Sequence, residues 1–423
     1  MQTFRLSALI NFSVLLGMAV TLLVLAAPVA AHEKVLYQFS GRSDGAVPSS
    51  GLVMDAAGHI YGTASFGGDA KNCTGGCGVV FELTSTNGKW REAVLYAFHG
   101  GTDGVRPSGN LVFDSAGNLY GTTFTGGSGA CKGGCGTVFE LSSKRGSWTE
   151  TVLYSFQDVE DGALPVGLTI DASGRLYGVT TTGGTEFGTV FELSPSADGG
   201  DAWKETTLYS FQAFEIQANP GMVFDTKGNL YGSWFQLYQC VPPNSCGTVF
   251  QLKFTDHGWD EANLFDFPGG GNGGQPMAGV ILDQQGRIYG TGSDGGNNWG
   301  IAFELKRSGA GCTEKILHRF CSLNNCADGS QPEAPLVFDQ AGNLYGTTLG
   351  GGTGCSYPGC GVVFKLSKNK SGWTETVLHS FKNEPTDGAS PVEGLILDEK
   401  GNLFGTTPAG GAHGRGTVFE ITP

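Results

Sequence analysis

Charge is scarce in this chain, and positive charge is the scarcer kind. Of 423 residues only 15% are Asp, Glu, Lys or Arg, with 25 basic against 39 acidic side chains and a net charge of −14. A surface of that sign repels phosphate backbones and anionic headgroups, so neither nucleic acid nor a lipid surface is an expected partner. Also missing is any long stretch with the 3.6-residue apolar period of an amphipathic helix. No Ser/His/Asp set, phosphate-binding glycine loop or paired-histidine metal motif occurs, so the sequence predicts no catalytic constellation, no cofactor and no metal.

One long apolar run exists, from about Phe12 to Ala27, preceded by Arg5 and followed by Val29-Ala30-Ala31. A basic start, an apolar centre and small residues at the end describe a secretory signal over residues 1–31, cleaved between Ala31 and His32. The rival reading is a retained membrane anchor, since the run is long for a signal. Against it, the repeat pattern already begins at Val35, which leaves almost no linker. The expectation is export, to the medium, the periplasm or the cell surface, with no membrane attachment after cleavage.

What the chain has in abundance is glycine, 71 residues, and repetition. The stretch Gly342-Asn343-Leu344-Tyr345-Gly346-Thr347-Thr348 has near-copies throughout, and the glycine after the aromatic falls at 62, 121, 178, 232, 290, 346 and 405. Successive differences are 59, 57, 54, 58, 56 and 59 residues, periods that belong to propellers or arrays. In the second copy Leu111-Val112-Phe113-Asp114 reads as a strand, Ser115-Ala116-Gly117 as a turn and Asn118 to Thr123 as the return strand. Gly136 to Leu141 and Trp148 to Phe156 follow as a second pair. Several strands are apolar on both faces, as in Thr189-Val190-Phe191-Glu192-Leu193, so both faces must be covered. The predicted fold is therefore all-β: one domain over residues 32–423, a seven-bladed β-propeller with four antiparallel strands (a to d) per blade. The mature chain starts with a lone d strand, Val35 to Phe39, and ends with an a, b, c set whose last member is Thr417 to Ile421. Pairing the two completes the seventh blade and removes two exposed edges.

The combination of Val-Leu-Tyr-Ser-Phe, Asp-Gly-x-x-Pro, Gly-Leu-Val-x-Asp-x-x-Gly-Asn-Leu-Tyr-Gly-Thr-Thr and Gly-Thr-Val-Phe-Glu-Leu resembles the GloVer (Gloeo/Verruco) repeat family of secreted bacterial proteins, over essentially all of residues 35 to 421. The resemblance implies the repeat and an exported protein, and implies no reaction.

Ten of the eleven cysteines form close pairs: Cys73/Cys77, Cys131/Cys135, Cys240/Cys246, Cys321/Cys326 and Cys355/Cys360. The b to c loops of copies one, two, four and six are long and each ends in such a pair, whereas the three short loops contain none. That pattern predicts local disulfides pinning long loops in an exported protein, each contributing roughly 2 kcal/mol for so short a ring. Cys312 stands where other copies have Trp90, Trp148, Trp203, Trp259 and Trp373, and is expected to fill space rather than act as a nucleophile.

Candidate binding residues lie where copies depart from the pattern. The fourth copy gains Trp234, Phe235 and Tyr238, aromatics able to stack on sugar rings or clamp a peptide, or else to fill space under the loop. The fifth offers Asp294, Asn297, Asn298 and Trp299, and the seventh His413 and Arg415. A grouping of His413, Arg415 and Asp294 could support acid-base chemistry. The repeated Asp-Gly pairs between strands d and a, from Asp44-Gly45 to Asp387-Gly388, read as turn formers or as a ring of polar contacts. The function expected is an exported, monomeric binding or scaffolding module that meets polysaccharide or an envelope protein on its stapled loop face. The alternatives are a glycan lyase or hydrolase on the same scaffold, and a purely structural surface protein.

Overall fold

The Asp-x-x-Gly hairpins show why the repeat has the sequence it has. In the second copy the Oδ1 of Asp114 accepts the backbone N–H groups of Ala116 at 2.8 Å and Asn118 at 2.9 Å. Its Oδ2 accepts the Asn118 side-chain amide at 2.8 Å and the Tyr120 hydroxyl at 3.1 Å. One carboxylate thus closes the turn and anchors the aromatic that follows it. Burial pushes the Asp114 carboxyl up, but the hydrogen bonds from Asn118, Tyr120 and Ala116 outweigh that and hold it below the ordinary range. The neighbouring glycine answers a steric demand. A Cβ on Gly121 would stand 2.6 Å from the ring of Phe139 and 2.8 Å from Leu111, so only glycine lets those side chains meet beneath it.

A computed structural model describes residues 31–68, 71–157, 160–184, 187–196, 202–212, 216–218, 221–236, 246–295, 299–356 and 358–423. They form seven blades of antiparallel strands arranged in a ring, a seven-bladed β-propeller as the sequence predicts, with one further two-stranded pairing of Gly388–Ala389 and Ala409–Gly410. Blades one to six follow in chain order over residues 53–97, 105–155, 163–210, 216–266, 281–319 and 337–380. In blade two, strands a to d are Val105–Phe113, Leu119–Thr125, Thr137–Lys144 and Ser147–Ser155. Blade seven takes its a, b and c strands from Ile396–Leu397, Leu403–Thr407 and Thr417–Thr422, and its d strand from His32–Gln38 at the other end of the chain. The pairing runs from His32↔Thr422 to Gln38↔Thr417. Strand a of blade four is in two pieces, Ile216–Ala218 and Val223–Phe224, which makes that sheet five-stranded. Three single-turn 3₁₀ segments occur and, among the described residues, no α-helix. No helix among them is long and apolar enough to cross a membrane.

The core is not one cluster but seven, each made from two adjacent blades. At the centre of every joint a phenylalanine ending strand d meets the strand c phenylalanine of the next blade. The pairs are Phe39–Phe81, Phe98–Phe139, Phe156–Phe191, Phe211–Phe250, Phe267–Phe303, Phe320–Phe364 and Phe381–Phe419. Ring centroids are 4.9 to 5.9 Å apart with the rings steeply inclined, an edge-on geometry that adds about 0.5–1.5 kcal/mol beyond the area buried.

A backbone hydrogen bond repeats beside it. In six of the seven joints the residue before the d–a proline donates its N–H to the last residue of the preceding blade's b–c loop. Examples are Arg106 to the Cys77 carbonyl at 2.9 Å, Ser390 to Cys360 at 2.8 Å and Val47 to Arg415 at 2.9 Å. All six donors, Val47, Arg106, Leu164, Gln275, Gln331 and Ser390, have φ between 48° and 58°, a left-handed conformation that costs a non-glycine residue about 1–2 kcal/mol. The joint holds them there.

Ring closure makes a direct prediction. Phe39→Ala removes the only phenylalanine that the N-terminal strand offers to blade one and leaves a cavity beside Phe81, so unfolding in urea should show a loss of about 3–5 kcal/mol. Deleting residues 32–39 should open the ring, detected as a lower melting temperature and self-association in size-exclusion chromatography.

Candidate functional site

Four disulfides staple the loop face: Cys73–Cys77, Cys131–Cys135, Cys321–Cys326 and Cys355–Cys360. Cys246 is also disulfide-bonded, and its expected partner Cys240 lies outside the described residues. Such bonds point to an oxidising, extracellular or periplasmic environment. Cys312 is free, half-buried at the joint of blades four and five, and burial pushes its thiol up. Where other joints set a tryptophan against the tyrosine of the previous blade, here the Arg307 guanidinium lies 5.9 Å over the Tyr231 ring.

The sequence candidates do not converge on one point. Phe235 is buried at 7% exposure, and Trp234, half-buried and paired with Thr248, packs against the core of blades three and four. Trp299 is half-buried and accepts the Gln331 N–H through its carbonyl at 2.8 Å. Tyr238, Asn297 and Asn298 lie outside the described residues. His413 and Arg415 are exposed in blade seven, while Asp294 in blade five accepts the Gly295 N–H at 2.7 Å. No hydrogen bond or ion pair among the described residues links Asp294 to His413 or Arg415. The Asp-Gly carboxylates bond their own turns: Asp103 accepts the Tyr96 hydroxyl at 2.7 Å and the His99 N–H at 2.5 Å, and Asp161 accepts Tyr154 and the Gln157 N–H.

Three features emerge that pattern reading did not single out. The first is the axial channel, a cavity of about 460 Å³ walled by strand a segments of all seven blades, with Met222 and Met277 in its lining. Glu333 of blade six and Glu393 of blade seven both line it. Burial raises both carboxyls, Glu393 to about 8, so at neutral pH Glu393 is largely a hydrogen-bond donor. Glu393 takes a position, two residues before the strand a leucine, that Ser50 and Ala334 occupy in other copies. A glutamate among small residues is the signal that could have revealed it.

The second is a groove of about 910 Å³ between blades three and four, at the end of the ring that carries the a–b hairpins. Phe254 stands in it at 66% exposure, edge-on to Trp259 with centroids 5.4 Å apart. Around them are Arg175, paired with Asp171 at 2.7 Å and Glu192 at 3.6 Å, and Lys227. The register partner of the strand d tryptophan is Ser85, Ser143, Pro195 and Lys368 in other blades and Phe254 here. An apolar ring beside paired charges can cover the C–H face of a sugar while the polar groups bond its hydroxyls.

The third is a ring of glutamates two residues after the strand d tryptophan position: Glu33, Glu92, Glu150, Glu205, Glu261, Glu314 and Glu375. Five of them, Glu33, Glu92, Glu150, Glu205 and Glu375, lie beside the aspartate of the turn that follows the preceding blade. Desolvation raises all seven, Glu150 to about 8 and Glu92, Glu205, Glu314 and Glu375 to about 7. Unlike the strand c glutamates, which become Gln251 and Lys365, this residue never varies among the seven copies, and that constancy was readable in the sequence.

The architecture and its stapled loops define the class: a disulfide-bonded, seven-bladed β-propeller. The chain belongs to the Gloeobacter/Verrucomicrobia repeat family, which matches residues 25–239 and again residues 238–423. No curated protein matches it. Among solved structures it is similar to polysaccharide lyase Uly1, at 10% identity with a TM-score of 0.53, covering 93% of this chain and 99% of that one. It is also similar to a protein of unknown function from Dyadobacter fermentans (14% identity, TM-score 0.44, 93% and 100% covered). A putative 6-phosphogluconolactonase from Bacteroides fragilis matches at 15% identity and TM-score 0.49, with 82% and 86% covered. At such identities the likeness concerns the fold alone.

The glutamate ring predicts an unusual pH profile. Glu150 lies against Asp103 and Tyr96, is half-buried with its Oε1 out of water, and is pushed up to about 8 in the native state against an ordinary value of 4.5. A raised native value means that its contribution is fully present below about pH 4.5 and is lost as pH rises to about 8. The melting temperature should therefore be higher near pH 5.5 than near pH 8. Glu150→Gln should raise it at pH 8 and leave it nearly unchanged at pH 5. The hairpin aspartates act oppositely, and their stabilisation disappears as pH falls below about 4.

Proposed function

We propose that the protein is an exported binding module for a polysaccharide or a similarly hydroxylated envelope polymer, and that it acts as a monomer after loss of residues 1–31. The observation that carries this reading is Phe254, an aromatic at 66% exposure on a rigid strand, backed by Trp259 and flanked by the Arg175–Asp171–Glu192 network. A soluble protein gains nothing in stability from such a side chain in water, whereas a sugar ring laid against it removes apolar surface on both partners. The stapled loop face, with Trp234, Phe235, Tyr238, Asn298 and Trp299, is the second surface on which a partner could dock, because loops held by disulfides lose little entropy on binding.

One observation favours a second reading, an enzyme acting on glycans. Glu333 and Glu393 come from adjacent blades into one channel, and a carboxylic acid kept protonated to about pH 8 is suited to general-acid work.

A polysaccharide and glycan array with purified protein separates these. Binding should fall at least tenfold, about 1.4 kcal/mol, in Phe254→Ala, with an unchanged melting temperature because the side chain is mostly in water. Loss in Trp234→Ala instead would place the site on the stapled face. Product release from a bound glycan, abolished by Glu393→Gln, would establish the enzyme. Binding to no glycan at all would overturn the polysaccharide reading.

A further inference from the structure

The joint between blades six and seven, where the closing strand meets blade six, differs chemically from most of the others. At the joints between blades seven and one, one and two, and two and three, a strand d tyrosine hydroxyl meets the turn aspartate: Tyr37 with Asp44 at 3.1 Å, Tyr96 with Asp103 at 2.7 Å and Tyr154 with Asp161 at 2.7 Å. A neutral phenol donates a proton there and is a far poorer metal ligand than an imidazole. Between blades six and seven the tyrosine is replaced by His379, whose Nε2 lies 3.2 Å from both carboxylate oxygens of Asp387. Across the joint stands Glu33, on the His32–Gln38 strand. One ligand atom from each of Glu33, His379 and Asp387 falls within 4.8 Å of the others.

We propose that Glu33, His379 and Asp387 bind a divalent transition-metal ion, zinc by the chemistry of the donors, and that this ion fastens the closing strand to blade six. The donors are held in place before any ion arrives. Asp387 is buried, and its oxygens accept the backbone N–H groups of Gly388 at 2.7 Å and Lys382 at 3.0 Å, which leaves lone pairs directed at the imidazole. The His379 ring is fixed edge-on against Phe381 with centroids 4.8 Å apart. The Oε1 of Glu33 is buried and has no hydrogen-bond partner, as is also true of Glu92, Glu150, Glu314 and Glu375 at the same position of other blades; what sets Glu33 apart is the histidine and the two-sided aspartate beside it.

One imidazole and two carboxylates, with a fourth position open to water, is a donor set that suits zinc. Calcium would require six or more oxygens. With the ion on Nε2, the neutral imidazole carries its single N–H at Nδ1. Burial and the neighbouring Asp387 push the Glu33 carboxyl up to about 7 against the smaller opposing pull of His379 and Lys382, so an ion entering at neutral pH also displaces a proton held in part by Glu33.

The joint between blades five and six provides an internal control. His318 lies 3.2 Å from Asp328 Oδ2, but that oxygen already accepts the Ser322 N–H at 2.9 Å and the Ser322 hydroxyl at 2.7 Å, and Leu323 donates to Oδ1 at 3.1 Å. The oxygen that faces His318 is therefore saturated, so although Glu375 stands across this joint with its Oε1 likewise unpartnered, the similar residues there should not hold an ion.

The test is a zinc titration of untagged, chelator-treated protein by calorimetry, with metal content measured after dialysis. One saturable equivalent and a raised melting temperature are expected. Glu33→Gln, and His379→Tyr, which installs the residue of the tyrosine joints and so preserves the fold, should each weaken binding at least tenfold. His318→Gln should bind as the wild type does, and excess calcium should not compete. Absence of a saturable equivalent in the wild-type protein, undiminished binding by His379→Tyr, or equal loss in His318→Gln would each overturn the site.

Discussion

No blade of this protein has a core of its own. Each four-stranded sheet buries its apolar faces only against its neighbours, and the seven edge-on phenylalanine pairs mark where that mutual burial is densest. The arrangement is stable only when it closes, because an open end would expose a whole inter-blade face to water. Closure by the N-terminal strand satisfies this with main-chain pairing from His32↔Thr422 to Gln38↔Thr417 as well as with side chains. The two ends of the chain therefore carry a structural duty equal to that of any interior blade. The Asp-x-x-Gly hairpins, the glycine beneath each strand c phenylalanine and the left-handed residue before six of the d–a prolines all serve the same demand for identical joints.

That uniformity explains why the fold was legible in the sequence. A requirement imposed seven times leaves seven copies of the same residues, and the period, strand order and closing strand follow from it. Asp114 and Gly121 are informative as letters because each has a single steric or hydrogen-bonding task. The cysteine pairs were readable for a related reason: their partners are four or five residues away, so loop length alone reveals them.

The candidate sites were less legible, and the reasons are particular. Glu333 and Glu393 sit 60 residues apart in number but share one channel, which only ring geometry can show. Glu33 and His379 stand at opposite ends of the chain and meet because the ring closes. Phe254 is hidden differently: it belongs to a strand, whereas binding residues usually gather in loops. Trp234 and Phe235 look like a platform in sequence, yet their strand directs one into the blade core and half-buries the other.

The hydrogen bond from each left-handed residue to the last residue of the previous b–c loop has a consequence for how such a protein can change. In six joints it pins the end of the loop to a neighbouring blade, and only a few interior residues, such as Ser65 and Phe66 of the first loop, reach across as well. Length and composition between the fixed ends can then drift, as the seven to thirteen residues of these loops already do, without altering the curvature of the ring. A lineage that duplicated such blades would inherit a frame on which new recognition surfaces could be tried one loop at a time.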